Sequence, residues 1–214
     1  GKAWRSLSQF FFANNPGARW SSTTTFTPGL GVPPVTLTWA TGTSDLTYSN
    51  SNTTITATRT AQKVARSYAS RSSGKWYAEI SIVTNSSGET YWGVGANTSN
   101  PPGFSGTSGV GICAGMSIEQ DLSITPSGST LSYSSGALLM LAVDFDAKKL
   151  WFGANGSWLA SGNPATGANP SASGWSSSPT WYVILAPYRN ADAGTLQAMP
   201  NYEVPSGFSR WSDS

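Results

Sequence analysis

Apolar and polar residues alternate most regularly between residues 138 and 162. The first strand of this stretch is predicted to place Ala142 and Asp144 on one face. Its other face carries four large apolar side chains, those of Leu139, Leu141, Val143 and Phe145. A polar turn at 146–149 precedes a second strand at 150–152, and Asn155-Gly156 predicts a two-residue hairpin turn because both residues tolerate positive φ. The pattern therefore predicts a half-buried strand followed by two further antiparallel strands.

Short strand-like segments recur along the chain from Val35 onward. Residues 54–59 alternate between threonine and the set Ile55, Ala57 and Arg59. In segment 75–83 one face carries Trp76, Ala78, Ile80 and Ile82. Segment 181–188 is nearly continuously apolar and is predicted to be buried on both sides. No segment has a clear helical period, so we expect an all-β fold with two antiparallel sheets packed as a sandwich.

The first 36 residues differ from the rest of the chain. They end in a cluster of glycine and proline at 29–34, which would terminate any regular element. Their aromatic residues include Trp4, Phe10, Phe11, Phe12, Trp20 and Phe26. A solvated tail seldom carries so many rings, so this arm either packs back on the domain or buries them against another subunit, and we favour the second. The predicted organisation is an irregular aromatic arm over 1–36 and a sandwich over 37–214.

Composition excludes several classes of function. The chain has no His, which removes His-based catalytic triads and His-ligated zinc. Its single Cys113 lies in an apolar run and is interpreted as a small buried hydrophobe. Net charge is +2, and the densest basic group is Arg59, Lys63, Arg66 and Arg71, so no nucleic-acid partner is expected. No apolar run reaches the roughly 18 residues of a membrane-crossing helix, and no metal or cofactor is expected.

The order of the segments resembles the SPRY domain, a two-sheet sandwich of the concanavalin-like, jelly-roll kind. The matching segments are SGKWYAEI (73–80), WGVG (92–95), LAVDFD (141–146), LWF (150–152), Asn155-Gly156, WYV (181–183) and VPSGF (204–208). The preceding segment, TWATGTSDLTYSNSNTTITATRT (38–60), is similar to the lead-in of SPRY-type proteins of tailed bacteriophages and prophages. The resemblance covers roughly residues 38–211, and the N-terminal arm lies outside it.

The resemblance implies a binding module and not an enzyme. Phage-type members look like virion surface components: tail fibre parts, receptor-binding proteins or capsid decorations. It therefore implies a location on the particle surface, with other virion proteins and repeated copies of the chain as partners and a host-surface glycan or protein as ligand. Fold alone does not fix function, so this step is an analogy.

Acidic residues supply the one catalytic alternative. Glu119 and Asp121 would share a face of a strand, the minimal arrangement for a glycosidase pair, although a polar strand edge explains them as well. Asp144 and Asp146 also share a face beside a turn, and we expect them to hold that turn through local backbone amides. A polysaccharide-degrading enzyme is thus the least favoured hypothesis.

Aromatic residues divide into those within strands and those near loops. Trp76, Trp92, Trp151 and Trp181 are expected to pack in the core. Phe104, Trp158, Trp175 and Tyr188 lie in or beside loops, where a ring can stack on a sugar or fit a protein partner, or can simply cap the sandwich. The preferred recognition patch is Tyr188, Arg189 and Asn190, because it follows a buried strand. A glycan-binding receptor module that uses the loop aromatics is the second hypothesis.

Overall fold

The computed structural model describes residues 37–61, 63–86, 90–95, 131, 133–175 and 180–213. The strands are β1 (Leu46–Ser49), β2 (Thr54–Ala57), β3 (Ala65–Arg71), β4 (Lys75–Thr84), β5 (Tyr91–Gly95), β6 (Leu138–Asp144), β7 (Lys149–Ala154), β8 (Ser157–Trp158), β9 (Ala172–Ser173), β10 (Trp181–Ala186), β11 (Ala193–Gln197) and β12 (Ser209–Arg210). Two 3-10 turns, Leu159–Ser161 and Pro164–Thr166, lie between β8 and β9. In this part of the chain no helix is long and apolar enough to cross a membrane.

The strands form two sheets within the described residues. The larger has nine strands and runs in the order β1-β2-β11-β4-β6-β7-β8, with β12 beside β4 and β9 beside β7. The smaller has three strands in the order β3-β10-β5. Every pairing between these strands is antiparallel except that of β12 with β4. The predicted all-β, two-sheet sandwich is confirmed.

The main core lies between the sheets. Ile80 of β4 and Leu141 of β6 enter it from the larger sheet, and Trp92 of β5 and Val183 of β10 enter it from the smaller one. These side chains are at most 1% exposed. Their positions follow the two-residue period of their strands, so the face predicted for 75–83 and the apolar face predicted for 138–145 are both correct.

The second face of β6 differs from the prediction. Met140 and Ala142 are buried there with Tyr77 and Trp151, and Val204 and Phe208 pack against this outer cluster. β6 is therefore buried on both faces, not on one. The physical reason is that residues of the C-terminal segment 199–208 lie over the outer face of the larger sheet, a contact that strand periodicity does not encode.

The turns of the β6–β8 meander are close to those predicted. The first turn occupies residues 145–148, one position earlier than expected, because Lys149 already pairs with Asp144. Asp144 Oδ1 accepts a hydrogen bond from Ala147 N at 2.8 Å, and Asp146 Oδ1 accepts one from Gly74 N at 3.2 Å. Asp144 therefore holds the turn through a local backbone amide, as expected, whereas Asp146 joins the turn to the distant residue Gly74. Asn155 and Gly156 have φ of 51° and 81°, as the hairpin signal predicts.

The predicted arm lies outside the described residues. This applies to Trp4, Phe10, Phe11, Phe12 and Trp20, and to the boundary at residue 36. The division into an arm and a sandwich stays a prediction, as does the role of the arm in assembly.

Candidate binding surface

The loops that follow β2 and β10 meet at one end of the sandwich. The Tyr188 carbonyl accepts a hydrogen bond from Ala61 N at 2.9 Å, and Thr60 Oγ1 accepts one from Asn190 N at 3.4 Å. Ala191 N donates to the Ala57 carbonyl at 2.8 Å. Because these bonds join residues more than 100 positions apart, the two loops form one surface. We call this the loop surface: residues 57–61 and 187–192.

Asp192 fixes the loop surface from below. Its side chain is fully buried, and its two carboxylate oxygens accept hydrogen bonds from three donors. Oδ1 accepts from Ser86 N at 2.7 Å, and Oδ2 accepts from Arg189 N at 2.9 Å and from Thr90 Oγ1 at 3.3 Å. A buried carboxylate with several donors is well satisfied, and bonds to a charged acceptor are among the stronger ones in proteins. Asp192 thus ties the loop before β11 to both ends of the β4–β5 connection.

Above this anchor, the loop presents polar and aromatic groups to solvent. Asn190 and Ala191 are exposed, and Tyr188 and Arg189 are half-buried. The Arg189 guanidinium lies 5.0 Å from the centre of the Tyr188 ring, within the range of a cation–π contact. Ala191 has φ of 71°, a left-handed conformation that costs energy for a residue with a Cβ and persists only where surrounding bonds fix it. The predicted patch is therefore held in one conformation.

A shared carboxylate lies beside the loop surface. Asp45 is 3.1 Å from Lys63 Nζ and 3.6 Å from Arg59 Nη1, and Asp45 O accepts a hydrogen bond from Thr58 N at 3.0 Å. The hydrogen bond from Lys63 is the main reason that the pKa of Asp45 is lowered from its ordinary value of 3.8, and the Arg59 charge acts in the same direction. The ion pairs therefore join the residue before β1 to the β2–β3 loop.

The loop aromatics predicted as one recognition set do not gather. Trp158 is half-buried on the outer face of the larger sheet, with its ring 6.2 Å from that of Tyr77. Trp175 is 2% exposed and packs with Phe145 and Trp181 at the end of the sandwich opposite the loop surface. The expectation that Trp175 faces a ligand is wrong, because its ring is buried in the core, 4.8 Å from the ring of Trp181. Phe104 lies outside the described residues.

The strand tryptophans mostly behave as expected. Trp92, Trp151 and Trp181 are at most 2% exposed, and Trp76 is half-buried. The Trp76 ring has the Arg71 guanidinium 4.1 Å from its centre. These rings belong to the sandwich itself.

Two buried carboxylates were missed by sequence reasoning, Asp192 and Glu79. Glu79 is fully buried on β4 and accepts hydrogen bonds from Tyr77 Oη at 2.6 Å, Asn201 N at 2.7 Å and Tyr202 N at 2.9 Å. Burial, with the Glu79 contact adding to it, raises the pKa of Tyr77 well above its ordinary value. In the sequence Glu79 occupies an outward position of a strand, where an exposed acid is the ordinary expectation, so the pattern contained no signal for its burial.

Another residue missed by sequence reasoning is Tyr68 on β3. It is 79% exposed, although tyrosine is usually more than half covered. Arg66 projects from the same face of β3, and its guanidinium lies 4.3 Å from the centre of the Tyr182 ring. The alternation of residues 65–70 places both on one face, but nothing in the sequence showed that Tyr68 would be exposed there.

The described part of the site has the chemistry of a binding surface. It offers a hydroxyl, an amide, cations and aromatic faces on a fixed backbone. Among the described residues no three carboxylate or thiol groups converge to hold a metal ion. Glu119 and Asp121 lie outside the described residues, so the glycosidase alternative stays a hypothesis.

Comparison with known proteins identifies the fold. No protein-family model and no curated protein matches the sequence. Among solved structures, the SPRY domain of human HERC1 matches with 17% identity and a TM-score of 0.51, over 75% of this chain and 100% of that one. The TRIM65 PSpry domain matches with 15% identity and a TM-score of 0.47, over 75% of this chain and 91% of that one. At this level of identity the likeness concerns the fold alone: the chain is a SPRY-like β-sandwich.

Proposed function

We propose that this chain is a non-enzymatic binding module whose ligand contacts the loop surface. The observation that carries the proposal is the anchoring of 187–192 by Asp192, whose three hydrogen bonds hold Tyr188, Arg189 and Asn190 on a fixed backbone. Preorganisation of this kind favours binding because less conformational freedom is lost when a partner docks. Tyrosine and arginine are also the residue types that most often dominate interface energetics.

The setting that we propose for this module is the surface of a phage or prophage particle, as part of a tail fibre, a receptor-binding protein or a capsid decoration. The support is the similarity of segment 38–60 to the lead-in of phage SPRY-type proteins, and this segment folds as the β1–β2 hairpin with the buried Trp39 before it. In this proposal the aromatic arm over 1–36 anchors repeated copies of the module, and the loop surface contacts a partner protein or a host-surface ligand.

The absence of catalysis is part of the proposal. The buried acids of the described residues are engaged in structural bonds: Glu79 with the C-terminal segment, Asp192 with the loops, and Asp144 with Lys75 at 3.1 Å. A general acid or base needs a proton-transfer position open to substrate, which such acids do not offer. The Glu119→Gln variant tests the remaining alternative, since a polysaccharide-degrading enzyme built on Glu119 would lose turnover and a binding module has none to lose.

Particle purification tests the proposal directly. An antibody against the chain is used to follow it through density-gradient purification of particles released by the cells that encode it. The expected result is co-sedimentation of the chain with particles. Particles carrying Tyr188→Ala with Asn190→Ala are then expected to attach to host cells about tenfold or more weakly, and those with Lys148→Ala, at the opposite end of the sandwich, to attach normally. A chain found only in the soluble fraction refutes the particle setting, and unchanged attachment refutes the role of the loop surface.

A glycan ligand has weaker support than a protein ligand. Trp175 is in the core, and the Trp158 ring is partly covered by its contact with Tyr77, so the two rings named for sugar stacking do not form a platform. If the chain binds on a glycan array and Trp158→Ala abolishes that binding, a glycan becomes the better supported ligand.

A further inference from the structure

Two methionines of the chain lie in contrasting surroundings. Met199, which follows β11, is 64% exposed, whereas Met140 of β6 is 3% exposed. The third methionine, Met116, lies outside the described residues. A dissolved oxidant must reach the sulfur atom, so an exposed methionine is oxidised faster than a buried one. Of the two described methionines, Met199 is therefore the one that an oxidant reaches in the folded protein.

A cation already contacts the Met199 sulfur. Arg210 Nη1 donates a hydrogen bond to Met199 Sδ at 3.0 Å. The same guanidinium is held by Asp213, whose Oδ1 accepts a hydrogen bond from Arg210 Nε at 3.0 Å, and the backbone of Arg210 pairs with Tyr77 of β4. A thioether sulfur is a weak acceptor, whereas hydrogen bonds from a charged donor to an oxygen are among the stronger ones. An oxygen atom added to this sulfur would therefore find a strong donor already in position.

The contact between Met199 and Arg210 joins the two ends of a surface loop. We call residues 199–210 the C-terminal loop. Beside this contact, Ser212 Oγ donates a hydrogen bond to the Ala198 carbonyl at 2.9 Å. The loop includes the residues that pack against the outer cluster and the residues whose backbone N–H groups bind Glu79. A stronger bond between its two ends would therefore hold the loop more firmly on the outer face of the larger sheet.

We propose that Met199 is a site of reversible oxidation by peroxides. With hydrogen peroxide, Sδ attacks one oxygen, the O–O bond breaks and an S–O bond forms. The hydroxide that leaves takes the proton of the transferred oxygen, so the products are the sulfoxide and water. The sulfur is oxidised and the peroxide is reduced, each by one electron pair. Arg210 then donates to the sulfoxide oxygen, and methionine sulfoxide reductases reverse the oxidation.

This inference goes beyond the proposed function and does not depend on it, since none of its residues belongs to the loop surface. It adds a chemical change that alters how firmly the C-terminal loop is closed.

The surroundings of the two sulfur atoms decide what oxidation does at each. Oxidation is disruptive where it places a polar group in an apolar core. Met140 is such a case, because its Sδ accepts a hydrogen bond from Gly156 N at 3.2 Å and its side chain lies in the outer cluster. The Met199 side chain is mostly in water, and its rotatable bonds let the new oxygen reach Arg210. Oxidation of Met199 should therefore tighten the loop without disrupting the core.

Peroxide treatment of the full chain, followed by peptide mass spectrometry, tests the assignment of the site. At low conversion, the sulfoxide should form about tenfold or more faster at Met199 than at Met140, because the two sulfurs differ in exposure. Equal rates at the two residues, or faster oxidation of Met140, overturn the assignment. The matched control is Met199→Leu, because leucine has a similar apolar volume and is not oxidised.

Hydrogen exchange of the Asn201 and Tyr202 amides tests the role of Arg210. After oxidation of Met199, these amides should exchange about threefold or more slowly, the effect of one additional hydrogen bond, and reductase treatment should restore the original rate. Exchange should not slow in peroxide-treated Met199→Leu or in oxidised Arg210→Gln. Unchanged or faster exchange in the oxidised wild type, or equal slowing in Arg210→Gln, overturns the proposed bond. If Arg210→Gln does not fold, the comparison of the wild type with Met199→Leu still decides whether oxidation tightens the loop.

Discussion

Replacing Asp192 by alanine is the most informative perturbation of the candidate site. The substitution removes a fully buried carboxylate and leaves Ser86 N, Arg189 N and Thr90 Oγ1 without their acceptor. A hydrogen bond to a charged group contributes about 1.5–3 kcal/mol, and an unpaired buried donor costs about 1–3 kcal/mol. Two short bonds and one longer bond, with partial relaxation of the loops, give an expected loss of about 3–5 kcal/mol in the free energy of unfolding. For a domain of this size the melting temperature should fall by about 10 °C.

Asp192→Ala should also change hydrogen exchange in the loops, in addition to lowering the free energy of unfolding. Because Asp192 holds the loop surface, the backbone amides of Ser86 and Arg189 should lose their protection from hydrogen exchange in Asp192→Ala. The matched control is Asp146→Ala, which removes an exposed acid that accepts from Gly74 N at 3.2 Å at the other end of the sandwich. This control should cost no more than about 1 kcal/mol. A loss below about 1 kcal/mol for Asp192→Ala, with unchanged exchange at Arg189, would refute the anchoring argument.

Three further predictions concern other parts of the molecule. Glu79→Ala should lower the free energy of unfolding in urea by about 3–5 kcal/mol, because the backbone N–H groups of Asn201 and Tyr202 lose their buried acceptor. The chain near Asn201 should then be cut by limited proteolysis, and an uncut variant of normal stability would contradict this. Trp175→Ala should cost about 3–5 kcal/mol by removing a core ring, and a variant as stable as the wild type would mean that the ring is not in the core. The carboxyl of Asp45 should titrate in NMR with a pKa below 3.8, and the stability that it contributes should be present above pH 4 and be lost as pH falls through that pKa. Both the lowering of the pKa and the pH dependence of stability should be smaller in Lys63→Gln.

The strands were predictable because their information is local. In β4 the residues Ala78, Ile80 and Ile82 repeat at the two-residue period, and the same period is present in β6. Asn155-Gly156 specifies its turn through backbone conformations that few other residue pairs adopt. Each of these signals is contained within about ten consecutive residues, so the sequence alone is enough to predict these strands and this turn.

The anchors of the site were not predictable because their partners are distant in sequence. Asp192 and Ser86 are 106 positions apart, and Glu79 and Asn201 are 122 apart. An acid in a strand or loop looks exposed until the fold brings backbone N–H donors to it. Sequence reasoning therefore predicted the patch at Tyr188–Asn190 from its place after a buried strand, but not the carboxylate that holds its backbone.

The misplacement of Trp175 has a related cause. Its neighbours Gly174, Ser173 and the residues that follow are typical of an exposed loop, yet its ring lies 4.8 Å from that of Trp181. Trp211, near the end of the described chain, joins the same group through Phe145 at 6.4 Å. The Trp175–Trp181 pair lies within one short stretch, but Phe145 and Trp211 come from distant parts of the chain, and a cluster assembled in this way leaves no periodic pattern in the sequence.

The central claim is that residues 57–61 and 187–192 form the recognition surface of a binding module. The most direct measurement is amide hydrogen exchange of the full chain, free and bound to the particle or to a partner protein. The account predicts that binding slows exchange in these two segments, with little change at the β6–β7 turn. Protection confined to the outer face of the larger sheet or to the opposite end of the sandwich would contradict it.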